Sequence, residues 1–316
     1  MTSSSILEEP ANVALVTSAN RLKAITTAIR VAISWFGISR SLSPQQKAQA
    51  ADAFGAEGES ISASKKLIDC RHPAYKAVTN VRGRIVSLFR GMSLPYPEPG
   101  VRLIRQDDVQ TFHVQMTTLK AELVEAVENL QQHYSELKRA ARQRLGSLYN
   151  AADYPDTLTD LFGVVWDFPS VEPPAYFQQL HPGLYQQECE RVAARFNEAV
   201  QLAEEAFTGE LAKLVSHLTE RLSGTEDGKP KVFRDSAVEN LSEFFSRFRH
   251  LSIGSSDQLD QLVNQVQAIV RGVKPQELRE KDSLRQYMAT ELSAVQATLD
   301  GLLVDRPRRN ILRRPK

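Results

Sequence analysis

The sequence predicts a mostly α protein with a small β component (α+β), in which a long antiparallel helical hairpin or coiled coil joins a small mixed head. Three observations carry this. Two long stretches repeat apolar residues at steps of three and four, the seam of packed helices. An N-terminal stretch alternates apolar and polar residues with period two, the pattern of a half-buried strand. The 316 residues are 42% hydrophobic, 24% charged and 7% aromatic, which excludes collagen, a disulfide-stapled miniprotein and wholesale disorder. No run of about 18 uncharged apolar residues occurs, so no membrane-spanning helix is expected.

The head spans residues 1–105. Ile29, Val31, Ile33 and Trp35 alternate with Arg30, Ala32 and Ser34 and predict a strand, with the β-branched run Val13 to Thr17 as its expected partner. Ser43-Pro44 opens a short helix: serine caps free backbone N–H groups, and proline lacks the N–H that the first turn would leave unpaired. Gly55 and Gly58 end it, and Ser60 to Asp69 is expected to be a further strand. His72-Pro73 opens a second helix with Tyr75, Val78, Val81, Ile85, Leu88 and Phe89 on one stripe. Pro95, Pro97, Pro99 and Gly100 predict an extended loop, and Val101 to Arg105 an edge strand.

Residues 106–224 are expected to form the hairpin. Val109, Phe112, Met116, Leu119, Leu123, Val127, Leu130, Tyr134, Leu137, Ala141, Leu145 and Leu148 make one stripe. A helix this long measures about 60 Å at ~1.5 Å per residue. A second stripe runs from Tyr185 and Cys189 through Val192, Phe196, Ala203 and Leu211 to Leu222. The simplest closure pairs the two helices through the connector 149–184, and Cys189 on the stripe reads as core. Tyr154-Pro155 begins a short helix in the connector, and Val164 to Phe168 reads as a strand. The aromatics there, Trp166, Phe168, Tyr176 and Phe177 among them, form either a local core, the preferred reading, or an exposed patch for a protein partner.

Helices are expected again at Ser236–His250, Ser256–Arg271 and Pro275–Val304, within a C-terminal region 225–305. Lys231 to Phe233 reads as a strand beside an Asp227-Gly228 turn. The tail 306–316 has no apolar period and is expected to be disordered.

No reaction is predicted, and the expectation is that the protein is not an enzyme. Gly224 to Pro230 falls one residue short of a phosphate-binding loop and has proline where a hydroxyl would meet Mg²⁺. Neither a nucleophile elbow nor a His-Glu-x-x-His motif occurs. Two cysteines and six histidines lack the paired spacing of a zinc site, and no metal or cofactor is expected. Cys70-Arg71-His72 reads as a strand end followed by a helix start. Met1 to Pro10 has two acids and no base, unlike the start of a signal peptide, and with only two thiols a cytoplasmic location is expected.

The net charge of +1 is a cancellation. Residues 20–105 carry +9, 106–305 carry −12, 306–316 carry +6 and 1–19 carry −2. Arg71, Lys76, Arg82, Arg84 and Arg90, with Arg102 and Arg105, and in the tail Arg306, Arg308, Arg309, Arg313, Arg314 and Lys316, are candidate phosphate contacts for nucleic acid. The other reading is that the basic head docks on the acidic hairpin.

Several segments resemble a known family. They are Gly91-Met92-Ser93-Leu94-Pro95, Gly100-Val101-Arg102-Leu103-Ile104, Arg144-Leu145-Gly146-Ser147-Leu148-Tyr149-Asn150, Asp153-Tyr154-Pro155, Phe162 to Phe168 and Phe233-Arg234-Asp235. Together with the two long helices they resemble, over about residues 60–250, a domain of unknown function of helical proteins from phages, plasmids and integrative elements. Some of that family are encoded beside MoxR-type ATPases and von Willebrand A-type proteins. The resemblance implies a mobile-element accessory protein, an adaptor or scaffold acting with a ring ATPase or by self-assembly. It supplies no catalytic residues. The alternative is a DNA-associated protein that uses the basic head and tail.

Overall fold

The structure, a computed structural model, describes residues 8–223 and 236–304. It is 70% helical with a small antiparallel sheet of four strands. The predicted turn and strand within 224–235 and the tail 306–316 lie outside the described residues. The chain forms two compact units. The first comprises the described residues of 8–28, Met92–Gln106 and those from Pro169 onward; the second comprises Ile29–Gly91 and Asp107–Phe168.

The strands are β1 (Thr26–Ser34), β2 (Ser39–Ser41), β3 (Ser64–Lys66), β4 (Ser93–Pro95), β5 (Val101–Arg105) and β6 (Gly163–Asp167). The larger sheet has the order β4–β5–β1–β6, and β2 pairs with β3. The predicted edge strand β5 is therefore internal. The edges are β4 and β6, and β4 ends on Pro95, where a missing N–H costs no ladder bond.

In the second unit β1 and β6 are antiparallel, with Val31 opposite Trp166 and Ile33 opposite Val164. Arg30, Ala32 and Ser34 face outward, as the alternation predicts. Helix α2 (Pro44–Asp52) starts on a capping box in which Ser43 Oγ accepts from the Gln46 N–H and Gln46 answers the Ser43 N–H. Helices α3 (Pro73–Gly91) and α4 (Val109–Leu145) pack along each other. Their contacts His72–His133, Arg84–Glu122 and Phe89–Phe112 run in opposite directions along the two chains, so the pair is antiparallel. Nine stripe residues of α4, Phe112 to Ala141, are buried. Gly146, at φ 52°, ends the helix in a conformation open to glycine and strained for other residues, three residues short of the predicted end.

The first unit is a helical bundle around α6 (Pro182–Leu222), which packs against α1 (Glu8–Ile25), α7 (Ser236–Leu251), α8 (Asp257–Val270) and α10 (Asp282–Val304). The short α5 (Tyr176–Leu180) lies against α6, and α9 (Pro275–Glu280) precedes α10. Three expectations change here. Val13 to Thr17 lies in α1, a helix that contacts α6, so tertiary context outweighs a local β preference. The helix predicted over Pro275–Val304 breaks at Lys281, whose backbone is extended. The two long helices belong to different units, so the division at 106–224 is not that of the fold: α4 takes α3 as its antiparallel partner, and α6 takes the bundle.

Candidate functional site

The basic residues of the head are built on and around α3. Proline at its first turn and a stripe of five buried side chains orient this helix, leaving the cations on its other faces. The Arg84 guanidinium donates to both carboxylate oxygens of Glu122 on α4, the second bond at 3.1 Å. Arg82 lies 5.0 Å over the Trp35 ring. Arg71 pairs with Asp69, whose carboxyl is held below its usual range first by the Arg71 backbone N–H and then by its guanidinium. Lys76 and Arg90 are exposed, but they stand 14 residues apart, about 21 Å along a helix. Arg102 and Arg105 belong to the first unit: Arg102 binds Ser93 Oγ at 2.7 Å, and Arg105 binds the His250 carbonyl at 3.0 Å. Arg306, Arg308, Arg309, Arg313 and Arg314 lie outside the described residues.

Ion pairs tie the basic segment to the acidic one inside each unit. Lys23 meets Glu172 at 3.0 Å in the first, and Arg30 meets Asp167 at 2.7 Å in the second. The Arg30 bonds hold Asp167 below its ordinary value. Lys65 is buried, 2.7 Å from Asp153 Oδ2, and donates to the Leu148 carbonyl at 2.6 Å. This pair fastens the turn after α4 to β3. A buried lysine of this kind carries no sequence signature, since its spacing from Asp153 is 88 residues.

The four candidate aromatics fall in both units. Trp166 is half-buried on β6 and donates its indole N–H to His113 Nδ1 at 3.3 Å. Phe168 is partly exposed. In the first unit Tyr176 is 58% exposed, edge-on to the half-buried Phe177 at 4.8 Å between ring centroids. Leu180 and Leu184, which the sequence reading did not single out, are 67% and 49% exposed. The local aromatic core exists elsewhere in the connector, where Tyr154 and Phe162 are buried against Tyr149 and Trp35.

One site in the first unit carries two carboxylates. Asp260 is raised above its usual value by burial, then by Asp257 and Glu204, and it shares with Glu204 a cavity lined also by Ser252, Ser255 and Ser256. Such a pair resembles an acid–base arrangement. The cavity holds about 10 Å³, room for roughly one water and for no substrate.

Among the described residues no group of three His, Cys, Asp or Glu side chains is placed to hold a metal, and no helix is long and apolar enough to cross a membrane. His72 Nδ1 accepts from the Ala74 N–H at the start of α3, so Cys70-Arg71-His72 leads into a helix. Cys70 and Cys189 are free and half-buried. Cys189 thus lies at the margin of the core, and the α6 stripe is fully covered only from Val192 onward. No family model, no curated protein and no solved structure matches the chain.

Proposed function

We propose that the protein is a non-enzymatic adaptor that engages a protein partner through the exposed apolar stripe of α5 and the first turn of α6. One observation carries this reading. Tyr176 and Leu180 stand four residues apart on α5, Leu184 lies in the first turn of α6 beyond the break at His181, and all three are about half exposed or more. Single exposed leucines are ordinary on protein surfaces, whereas three large apolar side chains within nine residues form a patch of the kind that partners cover.

The family resemblance supports a mobile-element accessory role, with a MoxR-type ring ATPase as the partner; the free thiols Cys70 and Cys189 fit a reducing cytoplasm. On α3 Arg84 is engaged by Glu122 and Arg82 by Trp35, while Lys76 and Arg90 stand about 21 Å apart along the helix, which favours the adaptor reading over nucleic-acid binding by this helix. The test is surface plasmon resonance between the full chain and a MoxR-type ATPase of the same host, with light scattering for self-association. The expected result is binding that the triple variant Tyr176→Ser, Leu180→Ser, Leu184→Ser weakens by about ten-fold or more, in line with loss of an apolar interface core. Unchanged binding by a folded triple variant, or no binding by the wild type, overturns the proposal.

A further inference from the structure

A second surface of the first unit has a different chemistry. Along α8 the residues Asn264, Gln267 and Ala268 stand at steps of three and one and share one helix face, and Arg271 caps the C-terminal end of that helix beside them. Arg249, in the last turn of α7, completes an open cleft of about 580 Å³ with them. The lining is two guanidiniums, two carboxamides and a methyl group, and it contains no acid and no aromatic ring.

Neither arginine has an ion-pair partner among the described residues, unlike the neighbouring Arg247, which pairs with Glu210. Nor does a helix neighbour neutralise them. The residues three and four before Arg249 are Ser246 and Phe245, and those before Arg271 are Ala268 and Gln267. The acids of α8, Asp257 and Asp260, sit in its first turn. A structural role for Arg249 as cap of the α7 carbonyls is already filled, because Arg105 donates to the His250 carbonyl at 3.0 Å. Two uncompensated guanidiniums held in one cleft raise the local positive potential and select an anion.

The shape and lining narrow the ligand. The cleft is open, so it does not enclose a small molecule in the way that a metabolite site does. With no ring on which to stack, unpaired bases gain nothing there. Arginine, asparagine and glutamine are among the side chains that contact phosphate oxygens along a duplex. We infer that the α7–α8 cleft, through Arg249, Asn264, Gln267 and Arg271, binds the phosphodiester backbone of double-stranded nucleic acid without reading its sequence. These residues differ from the basic positions of the head and tail, and the inference does not rest on the α5 stripe.

The experiment is fluorescence anisotropy of a labelled 20-base-pair duplex with the full chain at several salt concentrations. Arg249→Glu with Arg271→Glu is compared with the wild type, and Arg249→Gln with Arg271→Gln serves as a milder pair; circular dichroism checks that each is folded. About 0.9 is added to the salt slope per phosphate contact, so losing two contacts lowers the slope of log affinity against log salt by about 2, with affinity down about ten-fold or more at low salt. The glutamine pair is expected to lower the slope similarly, and duplexes of different sequence to bind alike. Four results overturn the inference: no duplex binding by the wild type, an unchanged slope in folded variants, tighter binding of a single strand of the same length, or capture by phosphatidylserine vesicles in place of the duplex.

Discussion

At the scale of single residues, burial decides what a polar group does here. Tyr134 is almost fully covered, its hydroxyl has no hydrogen-bond partner among the described residues, and Lys138 lies 4.7 Å from its ring centroid. Burial, with smaller contributions from Tyr154 and Tyr149, pushes its hydroxyl up to about 12. Tyr96 and Tyr154 are raised by burial as well. A tyrosine whose ionisation is suppressed in the fold protects it fully only while the unfolded tyrosine is also neutral. Stability from Tyr134 is therefore intact below about pH 10 and is lost as pH rises toward 12, and Tyr96 and Tyr154 act in the same direction. Denaturation followed by far-ultraviolet dichroism at pH 8, 10 and 11.5 is expected to show this decline. Tyr134→Phe should be at least as stable as the wild type at pH 8, since it removes a buried hydroxyl without a partner, and should decline less at pH 11.5. An equal decline in both proteins would remove Tyr134 from the account.

At the scale of elements, the width of an apolar stripe reports how many neighbours a helix has. The α4 stripe is narrow, at steps of three and four, and it serves one helical partner, α3. The α6 stripe widens where Ala199 and Val200, Phe207 and Thr208, and Leu211 and Ala212 are buried side by side, because α1, α7, α8 and α10 surround it. The existence and buried faces of both helices were legible in the sequence. Their partners were not, since a seam specifies that something packs on it without saying what. Strand signals fared differently: period two located β1 and the run Val164 to Phe168 located β6, whereas Ser60 to Asp69 kept only three strand residues, β3, with a single buried side chain among them. On α4, Leu123→Ala empties a buried site and is expected to cost about 3 kcal/mol by urea denaturation. The adjacent Glu122→Gln breaks only the partly exposed pair with Arg84 and should cost about 1 kcal/mol or less. If Glu122→Gln cost as much as Leu123→Ala, the ion pair and not the seam would hold α3 to α4.

At the scale of the whole molecule, part of the split charge found in the sequence is paired within the units. Lys23–Glu172, Arg30–Asp167, Lys65–Asp153 and Arg84–Glu122 each join a base from the positive segment to an acid from the negative one. The aromatic candidates were legible by type, while the α7–α8 cleft was not, because Arg249 reaches it from another helix and only its α8 stripe is periodic in the sequence. Two separate cores carry a further expectation. Leu123 lies in the second unit, and Leu292 is buried in the first. Because the two residues belong to different units, the costs of Leu123→Ala and Leu292→Ala should add to within about 0.5 kcal/mol in the double variant. A coupling well beyond that would show that the two cores melt as one.

The interleaving of the units along the chain also sets an order of events on the ribosome. The second unit is complete once Phe168 has emerged, whereas α1, made first, has to wait for α6, and the bundle is closed only by α10, which ends at Val304. That is 136 residues later, on the order of ten seconds at ~5–20 residues per second. The later-starting unit is thus the first to be complete along the chain, and α1 waits until Leu222, 54 residues past Phe168, for the whole of its partner α6.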